Sequence, residues 1–264
     1  MEPILYLKIF ILFIINKNIY KYIFYLYLMG NTHKKISPTN FENKKFVLGI
    51  IDPQNDFFKN GSLAVNNANE ILSSINKLRF YVHSLMPTFI TLDYHPTNHV
   101  SFASTHKVKE FTKDNINITM KDGSIVNVEQ TFWPDHCIKN TFGSDIHSDL
   151  IKLNTDTIFY KGTNPNIESY SGFGDQFKNS IENTGLKKWL IRNDISDIIL
   201  VGLATDYCVY FTALDAIMYG YKVHIILSCT RGVDEETTSK ALVDLKSKGV
   251  ICYTTVNDFI NFLT

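Results

Sequence analysis

The chain lacks an excess of charge of either sign. Its 264 residues include 26 Lys and Arg residues and 26 Asp and Glu residues, so its formal net charge is zero. A protein without a net electrostatic field does not attract nucleic acid or an anionic membrane surface from a distance. We therefore predict no nucleic-acid partner, and a small ligand that is not highly charged.

Cysteine is also scarce. The four cysteines are dispersed along the chain and form no CxxC pair; they are Cys137, Cys208, Cys229 and Cys252. Disulfide scaffolds are short and rich in cysteine, and this chain is neither. We expect a reducing compartment, the cytoplasm, with the nucleus as a second location.

A hydrophobic run of membrane-spanning length is missing as well. Residues 1–29 are rich in aliphatic and aromatic side chains, but their longest uncharged apolar run is Ile9–Ile15, far short of the ~20 residues that a spanning helix needs. Glu2 stands where a signal peptide has basic residues, and no small-residue cleavage site follows. We expect residues 1–45 to be an extension outside the fold, with synthesis starting at Met29 or with an anchoring or targeting tail. Membrane contact is expected only if this extension is real.

From residue 46 onward, short apolar runs alternate with stretches whose apolar residues lie three or four apart. This alternation is typical of βα units around a parallel sheet. We predict the α/β class, as a three-layer α/β/α sandwich with a six-stranded, mainly parallel sheet, in one domain over residues 46–264. The interval from 94 to 155 is predicted to be mostly loops with a few short elements, and an interval of that length inside a compact domain is more often functional than idle. The predicted strands are 46–51, 88–92, 157–160, 197–204, 222–227 and 250–254.

Functional side chains follow four of these strands. They are Asp52, Asp93, Lys161 and Cys208. Ligands of open α/β sheets gather at the carboxyl ends of the strands, so these groups are expected to converge. Asp52 is a candidate base for the thiol, Lys161 a neighbouring cation, and the backbone N–H groups of "GLATDYC" a site for an oxyanion. The position of Cys208 at a helix start is also expected to lower the pKa of its thiol. Taken singly, a strand-end Asp or Lys could be a solvated cap, and a lone Cys after a strand is usually a buried core thiol.

A second set of side chains lies in the loops. Asp93 and His95 stand two apart, and His136 comes from the distant segment "WPDHC". Two histidines and a carboxylate suit zinc or iron with open positions, although the same histidines could be ordinary loop residues. The aromatic residues Phe57, Trp133, Tyr170 and Phe173 could form walls for a flat ring or belong to the core.

These segments together resemble a known family. The stretches "IIDPQNDFF", "TLDYHPTNHVSFAS", "TFWPDHC", "YKG" with "YSGF", and "VGLATDYCV" occur in the order and approximate spacing of nicotinamidases, within the isochorismatase-like cysteine hydrolases. The similarity runs from about Phe46 to the C-terminus. It implies hydrolysis of nicotinamide to nicotinic acid and ammonia, a step of NAD salvage, with nicotinamide as the small-molecule substrate and a homo-oligomer as one assembly state.

The resemblance also implies roles for single residues. Asp52 matches the catalytic acid and base, Lys161 the catalytic lysine, and Cys208 the nucleophile. One divalent metal is implied, zinc first and iron or manganese as alternatives. The other implied positions are the metal ligands Asp93, His95 and His136, the ring-binding residues Phe57, Trp133 and Tyr170, the oxyanion-hole N–H groups of Ala204 and Cys208, and a cis peptide between Leu203 and Ala204. The polar segment 102–130 is longer than in bacterial relatives, which leaves the shape of the lid open.

Three alternatives stay open from the residues. Another amide or a carbamoyl compound could be the substrate, whereas a vinyl ether such as isochorismate would not require Cys208. A non-catalytic sensor could keep the pocket but would have little use for Asp52, Lys161 and Cys208 together. A membrane-tethered redox protein would need a cysteine to pair with Cys208, for which Cys137 is the candidate.

Overall fold

The computed structural model describes residues 44–177 and 183–264; the predictions for residues 1–43 lie outside this part. One sheet forms the centre of the fold. Its strands are β1 (Phe46–Ile51), β2 (Thr88–Asp93), β5 (Thr157–Lys161), β6 (Asp197–Leu203), β7 (Lys222–Arg231) and β8 (Ile251–Tyr253). They are all parallel, in the order β5-β2-β1-β6-β7-β8. The six predicted strands and the parallel sheet are thereby confirmed.

Helices cover both faces of this sheet, because every βα connection returns the chain across one face or the other. They are α1 (Asn69–Val82), α2 (Ala103–His106), α3 (Leu186–Arg192), α4 (Cys208–Met218), α5 (Glu235–Ser247) and α6 (Val256–Leu263). The alternation of side chains along β1 separates two cores: Leu48 packs with residues of α1 and α6, whereas Val47 packs with residues of α3, α4 and α5. The predicted three-layer sandwich is confirmed.

The sheet also aligns the four functional strand ends. Four adjacent strands, β5, β2, β1 and β6, carry or precede them in turn. Asp93 and Lys161 are register partners across β2 and β5, Asp52 follows β1, and Cys208 opens the helix after β6. At Gly202, on β6, a Cβ atom would lie 2.1 Å from the Ile51 carbonyl oxygen on β1, and φ is +109°. Only glycine fits there.

The structure contains elements that the sequence analysis missed. Within the interval predicted to be mostly loops, β3 (Lys113–Thr119) and β4 (Ile125–Thr131) form an antiparallel hairpin. Its apolar residues alternate with asparagines, and Asp-Gly at its turn is a common hairpin signal that was available in the sequence. Helix α6 was also missed, although Thr255 and Asp258 form a capping box at its start.

Within residues 44–177 and 183–264, no helix has both the length and the apolar character needed to cross a membrane.

A buried ion pair fixes the chain where it enters β5, the strand that ends at Lys161. Nη2 of Arg79, on α1, donates to both carboxylate oxygens of Asp156, at 3.0 and 2.8 Å. The Asp156 carboxylate also accepts the backbone N–H of Leu153 at 2.8 Å. Both partners of the ion pair are almost fully buried, so removing one would leave the other as an uncompensated charge.

The substitution Asp156→Ala is therefore expected to lower the free energy of unfolding by about 3 to 5 kcal/mol. Urea unfolding followed by circular dichroism measures this change. The matched control is Lys240→Ala, which breaks an exposed ion pair with Glu236 on α5 and is expected to have no measurable effect. Equal stabilities of the two variants would contradict the role of the buried pair.

Candidate active site

The ammonium group of Lys161 is the centre of the site. It is completely buried, and three side chains surround it: Asp52 Oδ2 at 2.9 Å, Asp93 Oδ1 at 2.5 Å and Cys208 Sγ at 3.3 Å. The Cys208 sulfur and one carboxylate oxygen from each of Asp52 and Asp93 also lie within 4.8 Å of one another. The structure thus brings together the acid, the lysine and the cysteine that the sequence placed at separate strand ends.

Burial and charge set the protonation of this cluster. Burial raises the pKa of Asp52 to about 6, although the adjacent Lys161 opposes the rise. Burial alone would lower the pKa of Lys161, but Asp52 and Asp93 together raise it well above its ordinary value. The lysine is therefore charged, and Asp52 can exchange a proton near neutral pH.

The thiol differs from the sequence expectation. A helix start and a nearby lysine were expected to lower the pKa of Cys208, but its burial raises that pKa well above the ordinary value. Lys161 lowers the same pKa, whereas the negative charges of Asp52 and Asp93 raise it further. The resting thiol is therefore protonated, and it needs a base within reach in order to become a nucleophile.

The carboxylate of Asp52 is held in place by the backbone and by Thr91, a residue that the sequence analysis missed. Asp52 has a φ of 45°, in the left-handed region, and its N–H donates to the Thr91 carbonyl at 3.1 Å. The Thr91 hydroxyl donates to Asp52 Oδ1 at 2.7 Å. This bond fixes one carboxylate oxygen while the other faces Lys161.

The turn before α4 leaves two backbone N–H groups available. A cis peptide joins Leu203 to Ala204, as the resemblance implied. The N–H groups of Tyr207 and Val209 donate to the Ala204 carbonyl, whereas those of Ala204 and Cys208 have no backbone acceptor in the part of the chain that the structure describes. Two such N–H groups beside a nucleophile can bind a developing oxyanion.

The predicted metal ligands lie together beside this cluster. One ligand atom from each of Asp93, His95 and His136 lies within 4.8 Å of the others, and all three residues are buried. Each histidine contacts a backbone carbonyl through Nδ1: His95 at 2.8 Å from Gly162 and His136 at 2.7 Å from Pro134. An Nδ1–H donated to a carbonyl leaves Nε2 free as a ligand.

The burial of His95 gives an independent test of the fit to a metal. Its Nε2 atom is buried without a hydrogen-bond partner among the described residues. Burial lowers the pKa of His95 well below its ordinary value, so the ring is in the neutral form that binds metals. An orphaned, neutral imidazole nitrogen beside a second histidine and a carboxylate fits a divalent metal ion.

A third histidine, His99, lies beside His95. The ring of His99 packs against that of His95 at a tilt, with ring centroids 4.1 Å apart, and burial lowers the pKa of His99 to about 3. Both of its ring nitrogens have protein partners, the hydroxyl of Ser101 at 2.8 Å and the carbonyl of Ile167 at 3.2 Å. His99 therefore supports the ring of His95 and does not offer a free nitrogen.

A pocket of about 410 Å³ opens over the cluster. Aromatic and aliphatic side chains form most of its wall, and Trp133 Nε1 donates to the Tyr170 hydroxyl at 2.9 Å. The lining residues are Phe57, Leu63, Val65, Asp93, Trp133, His136, Glu168, Tyr170, Ala204, Tyr207, Cys208 and Val233. The three predicted ring-binding residues are all among them. A flat aromatic ring suits such a wall.

Comparisons with known proteins agree with this geometry. The family model described as the Isochorismatase domain matches residues 46–256. The chain belongs to the isochorismatase family. The nicotinamidase of Escherichia coli K12 is 38% identical over 208 residues, which are 78% of this chain and 92% of that protein. Membership of this family, with nicotinamidases among its relatives, confirms the predicted resemblance.

Solved structures of family members share the fold. A nicotinamidase and pyrazinamidase of Acinetobacter baumanii has a TM-score of 0.70 and 33% identity, covering 83% of this chain and 99% of its own. A zinc complex of the pyrazinamidase of Pyrococcus horikoshii has a TM-score of 0.63 and 30% identity, covering 79% of this chain and 98% of its own.

Several residues of this isochorismatase-family site were not found by sequence reasoning. Gln54 forms two hydrogen bonds to the backbone of Asp93, through Oε1 at 2.8 Å and Nε2 at 2.6 Å, and so holds the end of β2. Glu168 and Tyr207 line the pocket. Gln54 lies two residues after Asp52 and Tyr207 directly precedes Cys208, so adjacency to a functional residue was the available signal.

The substitution His95→Ala is expected to weaken divalent-metal binding by more than about 100-fold, since loss of an outer partner alone costs about 10- to 100-fold. Zinc competition against a chelating dye measures the affinity without any assay of catalysis. The control is His83→Gln, which changes an exposed histidine after α1 and should leave the affinity unchanged. Unaltered zinc affinity in the His95 variant would exclude this set as the metal site.

Proposed function

We propose that the chain hydrolyses nicotinamide to nicotinic acid and ammonia, as a nicotinamidase of NAD salvage. The observation that carries the proposal is the contact of Lys161 with Cys208, Asp52 and Asp93 beneath one aromatic pocket. The metal-compatible set adjoins the same pocket, because Asp93 and His136 line it. The nicotinamidase relatives and structures support this reaction over that of another amide.

The first half-reaction forms a thioester. Asp52 takes the proton from the thiol of Cys208, and Lys161 stabilises the thiolate. The sulfur attacks the carboxamide carbon, and the carbonyl oxygen becomes an oxyanion held by the N–H groups of Ala204 and Cys208. Asp52 then gives its proton to the amide nitrogen, the C–N bond breaks, and ammonia leaves.

The second half-reaction releases the acid. Asp52, now ionised again, takes a proton from water as the water oxygen attacks the thioester carbon. The same two N–H groups bind the new oxyanion. When the C–S bond breaks, Asp52 returns the proton to Cys208, and nicotinic acid departs from a regenerated site.

The pyridine ring would be placed by the rest of the pocket. Phe57, Trp133 and Tyr170 supply flat walls for the ring. Asp93, His95 and His136 would hold a divalent ion, which we propose to be zinc with iron and manganese as alternatives, and the bound ion would supply Lewis-acid binding of the ring nitrogen. The zinc-bound P. horikoshii relative supports the choice of zinc.

The broader predictions continue as proposals. The catalytic domain spans residues 46–264, and the protein works in a reducing compartment, the cytoplasm; its four cysteines are free thiols.

The redox alternative would need Cys137 beside Cys208. Cys137 is fully buried, and its thiol contacts the Gly143 carbonyl at 3.9 Å. The homo-oligomer stays a prediction.

The substitution Cys208→Ala is expected to reduce ammonia release from nicotinamide by at least about 10⁴-fold, because no nucleophile remains. Nicotinamide binding, measured by calorimetry on the zinc-loaded protein, should persist. The control is Cys252→Ala, a half-buried cysteine on β8, which should retain full activity. Deamidation by the Cys208 variant at the wild-type rate would refute the thioester route.

The pH profile follows from Asp52. The base must be ionised, and burial raises its pKa from 3.8 to about 6, so kcat/KM is expected to fall about tenfold per pH unit below pH 6. The hydrogen bond from Thr91 stabilises the ionised form, so Thr91→Val should move this limb to higher pH. Thr88→Val, on the same strand, is the control and should leave it in place. A limb near pH 4 in the wild type would contradict the role of Asp52.

A further inference from the structure

The base of the hairpin formed by β3 and β4, where β3 begins and β4 ends, lies next to the wall of the pocket. Phe111 lies just before β3, and Thr131 is the last residue of β4. Neither residue lines the pocket, but Phe111 contacts Trp133 and Thr131 lies near Tyr207, and both of these aromatic residues line it.

The backbone of Phe111 is in an unfavourable conformation. Its φ is 62°, in the left-handed region, where bulky residues are rare. Its N–H donates to the Phe132 carbonyl at 2.6 Å, and the Phe132 N–H donates to the Thr112 carbonyl at 2.8 Å. These two hydrogen bonds hold the backbone in this conformation. The side chain of Phe111 is 57% exposed, so burial in a core does not account for the arrangement.

What this conformation provides is a contact with Trp133. The two ring centroids are 6.0 Å apart and the planes are perpendicular, at 90°. Such edge-to-face pairs are favourable and directional. Trp133 itself is 4% exposed, so the plane of its ring is set by the groups that pack against it, including Phe111, and by the hydrogen bond from its Nε1 to the Tyr170 hydroxyl.

Tyr207 contacts the same indole. Its ring centroid is 4.8 Å from that of Trp133, at 86°. Burial raises the pKa of the Tyr207 hydroxyl, and the nearby side chain of Thr131 opposes that rise. The base of the hairpin thus lies beside two pocket aromatics that also contact each other.

We propose that Phe111 and Thr131, the base of the hairpin, are positioning residues that set the plane of the Trp133 ring for stacking against the aromatic ring of the substrate. This inference rests on the proposed function and adds a source of ring selectivity to it. Because neither residue touches Cys208, Asp52 or Lys161, the effect belongs to ring binding and not to the thiol chemistry.

The test begins with Phe111→Ala and Thr131→Val, both made with Trp189→Phe so that Trp133 is the single tryptophan of the two in the chain. Relative to Trp189→Phe alone, KM for nicotinamide is expected to rise about fivefold in the Phe111 variant and about twofold in the Thr131 variant, with kcat within about twofold. The acrylamide quenching of Trp133 fluorescence, measured without substrate, should increase in both. Combining the two changes should give less than the product of the single effects, because both act through the Trp133–Tyr207 contact.

Matched controls separate this role from general structural damage. Phe142→Ala removes another exposed phenylalanine, 79% exposed, and Thr119→Val changes the hairpin near its turn; both should behave like the parent. Phe111→Tyr should restore the parental KM and quenching. Phe111→Gly suits the left-handed backbone but lacks the ring, so it should resemble Phe111→Ala.

Three results would overturn the proposal. The first is that KM and quenching in the Phe111 and Thr131 variants equal those of the controls. The second is that kcat in these variants falls as much as kcat/KM, and the third is that Phe111→Gly has the parental KM. If the unaltered chain released no ammonia from nicotinamide, the proposed function would fail. The quenching measurement would then decide by itself whether the hairpin base positions Trp133.

Discussion

A fully buried ammonium group can persist only where opposite charges surround it, since an unpaired charge in the interior costs several kcal/mol. Lys161 meets this condition because β5, β2 and β1 are neighbours in the sheet. Register places Asp93 directly across from Lys161, and Asp52 follows the next strand along. Cys208 approaches the same ammonium from the strand beyond. The order of the strands is therefore the condition for the site, and the ion pair at Arg79 fixes the start of the strand that carries the lysine.

The same ammonium links two tasks. Asp93 contacts Lys161 and also belongs to the metal-compatible set, so a cation held by that set would act on the Cys208 thiol through the shared lysine. Linkage of this kind is reciprocal, because a change at either site alters the free energy of the other by the same amount. In the proposed reaction, the groups that bind the ring and the groups that transfer the acyl group are thus electrostatically coupled.

Much of this arrangement could be predicted from the sequence. Buried parallel strands read as apolar runs, and side chains after those runs converge whatever their separation along the chain, which is why Asp52, Asp93, Lys161 and Cys208 were found. The hairpin was missed because its asparagines resemble a loop when the alternation of apolar residues is not counted. The supporting residues Thr91 and Gln54 were missed because their roles depend on partners about 40 residues away. The raised pKa of the thiol was missed for a related reason: burial is a property of the fold, whereas the helix start is visible in the sequence.

The protonated state of the resting Cys208 has a consequence for the lifetime of the protein. Peroxides and other oxidants react with thiolates far faster than with thiols, and exposed cysteines of low pKa are the first to be oxidised. Cys208 is only 6% exposed, and burial keeps its proton in place until Asp52 removes it. In the proposed reaction Asp52 ionises this thiol during turnover, so the resting protein presents oxidants with the protonated, less reactive form.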